Sequence, residues 1–177
     1  MAKIGFCGTI SVGKTTLVNE LAKLPEFKDY EFRTERSKYL KELGIPLNTD
    51  STILGQSIFL AERASELLLP NIITDRTIID VMAFSLTSKS MNWVESIPFC
   101  DFACHLIPHY DYIFYVSPEG VKIEENGIRE TDSEYRDVID QRIKDVIMIN
   151  SHRIKNYHEI KGTTEERIKL VKEIIFS

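Results

Sequence analysis

The sequence predicts an α/β fold, one doubly wound and mostly parallel sheet of five strands filling residues 1–177 as a single domain, on three observations. The chain opens on a strand, a glycine-bearing loop and a helix in immediate succession, KIGFC, GTISVGKT and TLVNELAKL, halted at Pro25. Two short apolar runs, NIITDR and YIFYV, have the continuous character of strands buried on both faces. Strand-like and helix-like stretches then alternate to the last residue without repeat, linker or low-complexity segment, the order of βαβ units.

Length and composition bound the reading. With 177 residues, 43% hydrophobic and 28% charged, the chain suits one domain with one sizeable core. A net charge of −5 argues against a broad nucleic-acid surface, which needs Lys and Arg to meet phosphates. No apolar run approaches the roughly 20 residues of a membrane span, and MAKIGF runs straight into the first strand without a signal-peptide pattern. A cytoplasmic protein with no membrane partner is expected. Cys7, Cys100 and Cys104 give an odd count, read as reduced thiols; Cys100, Cys104 and His105 lack a second ligand pair at finger spacing, so no zinc is expected.

The opening loop fits GxxxxGK[ST], the phosphate-binding pattern, in its proper place between strand and helix. Gly8 and Gly13 permit the backbone to wrap an anion, and the helix beginning near Thr15 points its positive end at the same place. Lys14 reaches β and γ phosphates, and the Thr15 hydroxyl suits a magnesium shell. Gly8, Val12, Gly13, Lys14, Thr15 and Thr16 are the candidate nucleotide site, holding a triphosphate with Mg2+ as cofactor.

Residues 29–36, DYEFRTER, alternate with the period of a short or edge strand, placing Glu35 and Arg36 near its carboxyl end beside the phosphate loop; a charged helix start capped by Ser37 is the alternative. A helix follows over residues 37–43, stopped by Gly44 and Pro46. A longer one is expected over residues 52–69, with Leu60, Ala64, Leu67 and Leu68 as its core face. Gln56 and Arg63, seven residues apart, share a face and either line a pocket for a base or phosphate or stand in solvent. In NIITDR, Asp75 and Arg76 fall at the strand's carboxyl end, suited to magnesium and to clamping a phosphate; an ion pair capping the next helix with Asp80 is the alternative.

Residues 78–109 read as mainly helical, interrupted over 89–98, with Trp93 expected in packing and part of an acceptor pocket; His105 and His109 receive no role. Residues 112–116 form a buried strand ended by Ser117-Pro118. The charged stretch 121–136, with Gly127, Arg129 and Arg136, suits a mobile lid or an ordinary surface loop. Thr131 with Glu134 opens a helix to about residue 155, with Tyr135, Ile139, Ile143, Val146 and Ile147 inward. A last strand over 157–160 leads to a second capping box, Thr163 with Glu166, and a closing helix.

GTISVGKT, the Asp75-Arg76 pair, NGIRETDSEYR and IKGTTEERIK together resemble the small AAA-type and thymidylate-kinase-like phosphate-loop kinases, a group that includes phage nucleotide kinases and the ribosylnicotinamide kinase domain of NadR-type proteins. The resemblance implies a five-stranded core, magnesium ATP as donor and a small nucleotide or nucleoside acceptor. It makes Lys14 and Thr15 the nucleotide and magnesium positions, Asp75 and Arg76 the strand-end pair, Arg129 the lid arginine, and Glu35 the acid after the second strand. The chain departs from the group's pattern with Asn126 where relatives often carry Asp, and with Lys38 in place of Arg.

Phosphotransfer from ATP is therefore the expected activity, with Lys14, Glu35, Asp75, Arg76, Arg129 and Arg136 as catalytic candidates and Glu35, Arg36, Gln56, Arg63 and Arg76 about the acceptor. A nucleoside needs a general base, for which Glu35 or Asp75 serves, whereas a monophosphate chiefly needs cations. Arg36, Lys38, Arg63 and Arg76 tilt the expectation towards a nucleoside monophosphate, with a nucleoside or nicotinamide riboside as rival. A regulatory ATPase and a kinase of modified bases in DNA are the readings from other classes, and a homodimer stays open.

Overall fold

The computed structural model describes residues 1–34, 36–119 and 133–177. Five strands, β1 (Lys3–Cys7), β2 (Glu31–Arg33), β3 (Ile72–Asp75), β4 (Tyr112–Val116) and β5 (Tyr157–Ile160), form one sheet in the order β2-β3-β1-β4-β5. Every pairing is parallel, so the sheet is wholly rather than mostly parallel. The helices are α1 (Lys14–Leu21), α2 (Ser37–Glu42), α3 (Ile53–Glu66), α4 (Ile78–Thr87), α5 (Trp93–Ala103), α6 (Ser133–Ile149) and α7 (Thr164–Phe176).

Both sheet faces are covered, which is why the central strands read as unbroken apolar runs. On one face Ile4, Phe6, Ile73 and Phe114 pack against Leu17, Val18 and Leu21 of α1 and Val171 of α7. On the other, Cys7, Ile113 and Tyr115 meet the buried sides of α3, α4, α5 and α6. Parallel register sets Phe6 beside Phe114 and Phe114 beside His158, and their rings stack at centroid distances of 5.2 and 5.5 Å. Since β1 lies between β3 and β4, the loops after β1 and β3 leave the sheet side by side, which is where a ligand crevice forms in this architecture.

Four local expectations are corrected. Leu60 and Leu67 of the α3 stretch are buried as expected, but Leu68 is 84% exposed, and the buried stripe instead includes Gln56, Arg63 and Glu66. The break after α4 is short, because Asn92 accepts from the amides of Val94 and Glu95 while Glu95 returns a bond to Asn92, a capping box that starts α5 ahead of Pro98. Trp93 opens that helix on its solvent side, 74% exposed, and does not pack in the core. The helix expected to reach residue 155 ends at Ile149, where the Asn150 side chain takes the carbonyl of Val146 and a 3-10 turn follows. The Thr163–Glu166 capping box is present; that of Thr131, residues 121–132 of the lid expected over 121–136 and the candidates Glu35 and Arg129 lie outside the described residues, while the last four residues of that expected lid form the first turn of α6.

Asp111, just before β4, ties the start of β1 to the approach to β5 by accepting from the Lys3 amide and from the Lys155 ammonium, each at 2.9 Å. Burial pulls its carboxyl up, but the Lys155 hydrogen bond, the Lys3 amide and both lysine charges outweigh that and hold it below the usual carboxylate range. A depressed folded value means stabilisation present above the unfolded value and lost as pH falls through the folded one. Asp111→Asn is thus expected to lower urea midpoints at pH 7, with the difference from wild type closing below roughly pH 4; a difference constant with pH would contradict this assignment.

Candidate active site

The phosphate loop adopts a wrapped conformation that its glycines make affordable. Gly8 has φ 153° and Gly13 φ 83°, and a Cβ at Gly8 would stand 2.7 Å from the carbonyl oxygen of Val116. Ser11 takes a positive φ of 55° between them. Lys14 is buried and folds back over the loop, its Nζ donating to the carbonyls of Gly8 and Thr9 at 2.7 Å each. Thr9 in turn donates through Oγ1 to the carbonyl of Arg136 in the first turn of α6, 2.7 Å away. Val12 is buried with the core of the α1 face, while Thr16 is exposed on α1.

Asp75 ends β3 in register with Phe6, two residues ahead of Gly8, and its carboxylate reaches across to accept from the Thr15 hydroxyl through Oδ2. Its other oxygen, Oδ1, is buried without a hydrogen-bond partner among the described residues. A hydroxyl paired with a carboxylate that keeps one buried oxygen unsatisfied fits a magnesium ion, which takes one or two protein oxygens and completes its shell from phosphates and water. No cluster of three or more His, Cys, Asp or Glu suited to a metal occurs among the described residues, so no closed protein cage competes with it.

Arg76 follows at φ 80°, a left-handed conformation that costs a non-glycine residue on the order of 1–3 kcal/mol and concentrates at functional sites. Its amide donates to the carbonyl of Phe6 at 2.9 Å, and its guanidinium lies 4.8 Å from the centre of the Phe84 ring. That places it in the wall of a pocket beside the phosphate loop, lined by Ser37, Asn48, Gln56, Arg76 and Asp80 among polar residues and by Phe59, Phe84 and aliphatic side chains. Asp80 is fully buried; it accepts from the Gly8 amide at 3.2 Å and from the Thr77 amide at 2.7 Å. Burial pushes its carboxyl up, while Lys14 and Arg76 pull it down.

The structure therefore brings together Gly8, Gly13, Lys14, Thr15, Asp75, Arg76 and Gln56. Arg63, expected beside Gln56, is 2% exposed and turns away from the pocket, donating to the carbonyl of Asp75 at 3.0 Å and to Glu66 at 2.7 Å. Arg36 is exposed at the start of α2, paired with Glu62 at 3.3 Å and placed over the Tyr39 ring. Arg136 is buried on α6, its guanidinium reaching the carbonyl of Pro118 at 3.5 Å.

Asp80 entered the sequence reading only in the alternative of an ion pair capping the next helix, whereas the structure shows it closing a capping box with Thr77; Phe59 and Phe84 were legible only as apolar helix residues. Arg167 carried no signal beyond sharing a helix face with Val171. It is 3% exposed and donates to the carbonyls of Val12 at 2.6 Å and Ser117 at 3.3 Å, pinning the phosphate loop to the end of β4, while burial lowers its affinity for a proton. Arg167→Met is expected to cost about 2 kcal/mol of unfolding free energy through these two charge-assisted bonds. Equilibrium urea denaturation measures it, and a loss below about 0.5 kcal/mol would remove the pinning role.

An all-parallel sheet with this loop and strand-end pair at its switch point defines a phosphate-loop nucleotide-binding protein of nucleotide-kinase-like fold. The family model described as AAA domain matches residues 3–167, and the chain belongs to that family. No curated protein sequence matches it. Among solved structures, deoxyadenosine kinase from M. mycoides with the products dCMP and a flexible dCDP bound is similar at 19% identity and a TM-score of 0.63, over 98% of this chain and 96% of that one. The same enzyme with dCTP gives 17% and 0.63 over 98% of each chain. With dATP it gives 18% and 0.59 over 100% of each. The AAA-type resemblance and the nucleotide-kinase-like fold read from the sequence are both borne out. No helix among the described residues is long and apolar enough to cross a membrane.

Proposed function

We propose that the protein is an ATP- and magnesium-dependent nucleoside kinase, acting on a deoxynucleoside or a close relative of one. The observation that carries this is the pocket beside the phosphate loop: Phe59 and Phe84 offer flat apolar surface, Gln56 an amide able to pair with a base edge, and Arg76 a cation. Of the four cations that favoured a monophosphate, Arg63 is held by Glu66 and the Asp75 carbonyl, and Arg36 is exposed beside Glu62. The balance moves from a monophosphate to a nucleoside. The deoxyadenosine kinases of similar fold support the same choice of acceptor.

In this reading Gln56, Phe59 and Phe84 hold the base and orient a sugar hydroxyl towards the γ-phosphate. The hydroxyl oxygen attacks phosphorus, the bond to the β-phosphate oxygen breaks and ADP leaves; the hydroxyl proton passes to a carboxylate, for which Glu35 is the candidate where Asp75 is engaged with magnesium. Lys14 exchanges its two loop carbonyls for phosphate oxygens, and Arg76 meets charge developing on the transferred group. Thr15 and Asp75 would hold magnesium, which supplies charge neutralisation on the β and γ oxygens. Arg129 is the candidate lid arginine, Arg136 a candidate cation presented from the first turn of α6 beside the phosphate loop, and the loop from Lys161 to Thr163 the candidate border of the donor base.

A phosphotransfer screen with magnesium ATP against nucleosides, deoxynucleosides, nicotinamide riboside, monophosphates and DNA carrying modified bases tests this. A phosphorylated deoxynucleoside is expected. Labelling of monophosphates alone would restore that reading. ATP hydrolysis without any labelled acceptor would favour a regulatory ATPase, and labelled DNA a DNA-base kinase.

A further inference from the structure

We infer that Arg63 is a positioning residue that sets the directions of two active-site groups at once, Asp75 and Arg76, by gripping the peptide between them. Mechanistically this rests on the kinase reading above, although the geometry stands without it. Arg63 comes from the middle of α3, 2% exposed, and its guanidinium divides between two hydrogen-bond partners, with the Glu62 carboxylate also 4.0 Å from Nη2. Nη2 is anchored on Glu66 at 2.7 Å, one turn further along the same helix. Nη1 donates to the main-chain carbonyl of Asp75 at 3.0 Å.

That carbonyl belongs to the peptide that enters the left-handed residue Arg76, φ 80°. On its far side the same peptide donates the Arg76 amide to the carbonyl of Phe6 at 2.9 Å, so the peptide is held by both of its polar groups. A left-handed arginine persists only where its surroundings over-determine it. Here one bond comes from β1 and the other from Arg63. With the peptide in this orientation the Asp75 side chain turns to the Thr15 hydroxyl, while the next side chain swings over the Phe84 ring into the acceptor pocket. Release of the carbonyl would let residue 76 relax to a negative φ and carry its guanidinium away from the pocket.

The reading differs from the one suggested by spacing alone, in which Gln56 and Arg63 share an acceptor face, and kinetics separate them. The double variant R63M/E66M replaces the buried pair by apolar side chains of similar size, which a fold commonly tolerates. It is expected to lower kcat about 100-fold, as misplacement of catalytic groups does, with acceptor KM within about threefold of wild type. Glu66→Gln, which leaves Arg63 able to reach the Asp75 carbonyl, is expected to retain kcat within about fivefold. A crystal structure of the double variant is expected to show a negative φ at residue 76, and magnesium to enhance its binding of a non-hydrolysable ATP analogue less than in wild type.

A raised acceptor KM with kcat unchanged would make Arg63 a substrate ligand and overturn the inference. Unchanged kcat with φ still positive would reduce it to a structural ion pair and overturn it equally. Should the double variant not fold, Arg63→Lys, whose single ammonium cannot serve both partners, gives the same split of kcat from KM. If the wild-type protein labels no acceptor, the kinase reading fails, while φ at residue 76 and the magnesium effect on analogue binding still decide the role of Arg63.

Discussion

Lys14→Met is expected to lower phosphotransfer about 1,000-fold, roughly 4 kcal/mol of transition-state stabilisation, the scale of a preorganised charge in a site that excludes water. The side chain is already dehydrated, 6% exposed, and its ammonium already occupies the concavity of the loop by bonding the carbonyls of Gly8 and Thr9. Phosphate oxygens replacing those carbonyls would meet a charge with little water left to shed. Methionine matches the stem in length but leaves the Gly8 and Thr9 carbonyls without their donor, so ATP binding and urea unfolding of the variant separate lost electrostatics from a changed loop. Steady-state assays with a titration of ATP binding measure both halves. A fall in transfer of less than tenfold would mean that Lys14 is not the cation that meets the transferring phosphoryl group.

Arg76→Gly is expected to separate activity from stability. At φ 80° glycine is unstrained, whereas any side chain carries the left-handed penalty, so the usual order of alanine over glycine should invert: Arg76→Gly is expected to be more stable than Arg76→Ala by about 1 kcal/mol. Against wild type, relief of strain offsets the lost contact with Phe84, worth about 0.5–1 kcal/mol, and the greater freedom of glycine in the unfolded chain. Net stability should move by less than about 1 kcal/mol. Phosphotransfer should fall about 100-fold or more in both variants, since neither keeps the guanidinium in the pocket. Urea unfolding beside kcat/KM checks this. A glycine variant less stable than the alanine one would show that residue 76 does not hold a left-handed conformation in solution.

Much of the site was legible because phosphate binding is encoded locally. A loop that must present consecutive amides needs glycines at fixed offsets, and a carboxylate that must meet that loop needs to end a neighbouring strand. Gly8, Gly13, Lys14 and Thr15 satisfy the first demand within eight residues, and Asp75 the second at the end of a short apolar run suited to a buried strand. Capping also writes itself locally, as at Thr163 with Glu166, although the equivalent pattern at Asn92 with Glu95 went unread and the start of α5 was misplaced with it. The side-chain arrangement of Trp93 was not legible in this way: apolar character alone does not say which face of a helix a partner covers.

By itself the sequence determined four of the five strands, the phosphate loop on a strand-to-helix turn, and the strand-end pair Asp75-Arg76, while β2 stayed open against a helix start until Glu31–Arg33 was found paired with β3. These follow from periodicity and backbone chemistry within a few residues. Only the tertiary structure decided how the cations are shared. Gln56 and Arg63 lie on one helical face, yet seven residues separate them by about 10 Å along the axis. The first therefore meets the pocket between Phe59 and Asp80, and the second reaches past it to the carbonyl of Asp75. Arg167, more than a hundred residues from the loop in sequence, arrives at Val12 only because β5 brings the start of α7 beside the end of β4. Helical spacing specifies a direction from the axis, whereas a side chain's partner depends on what the rest of the chain has placed at that height.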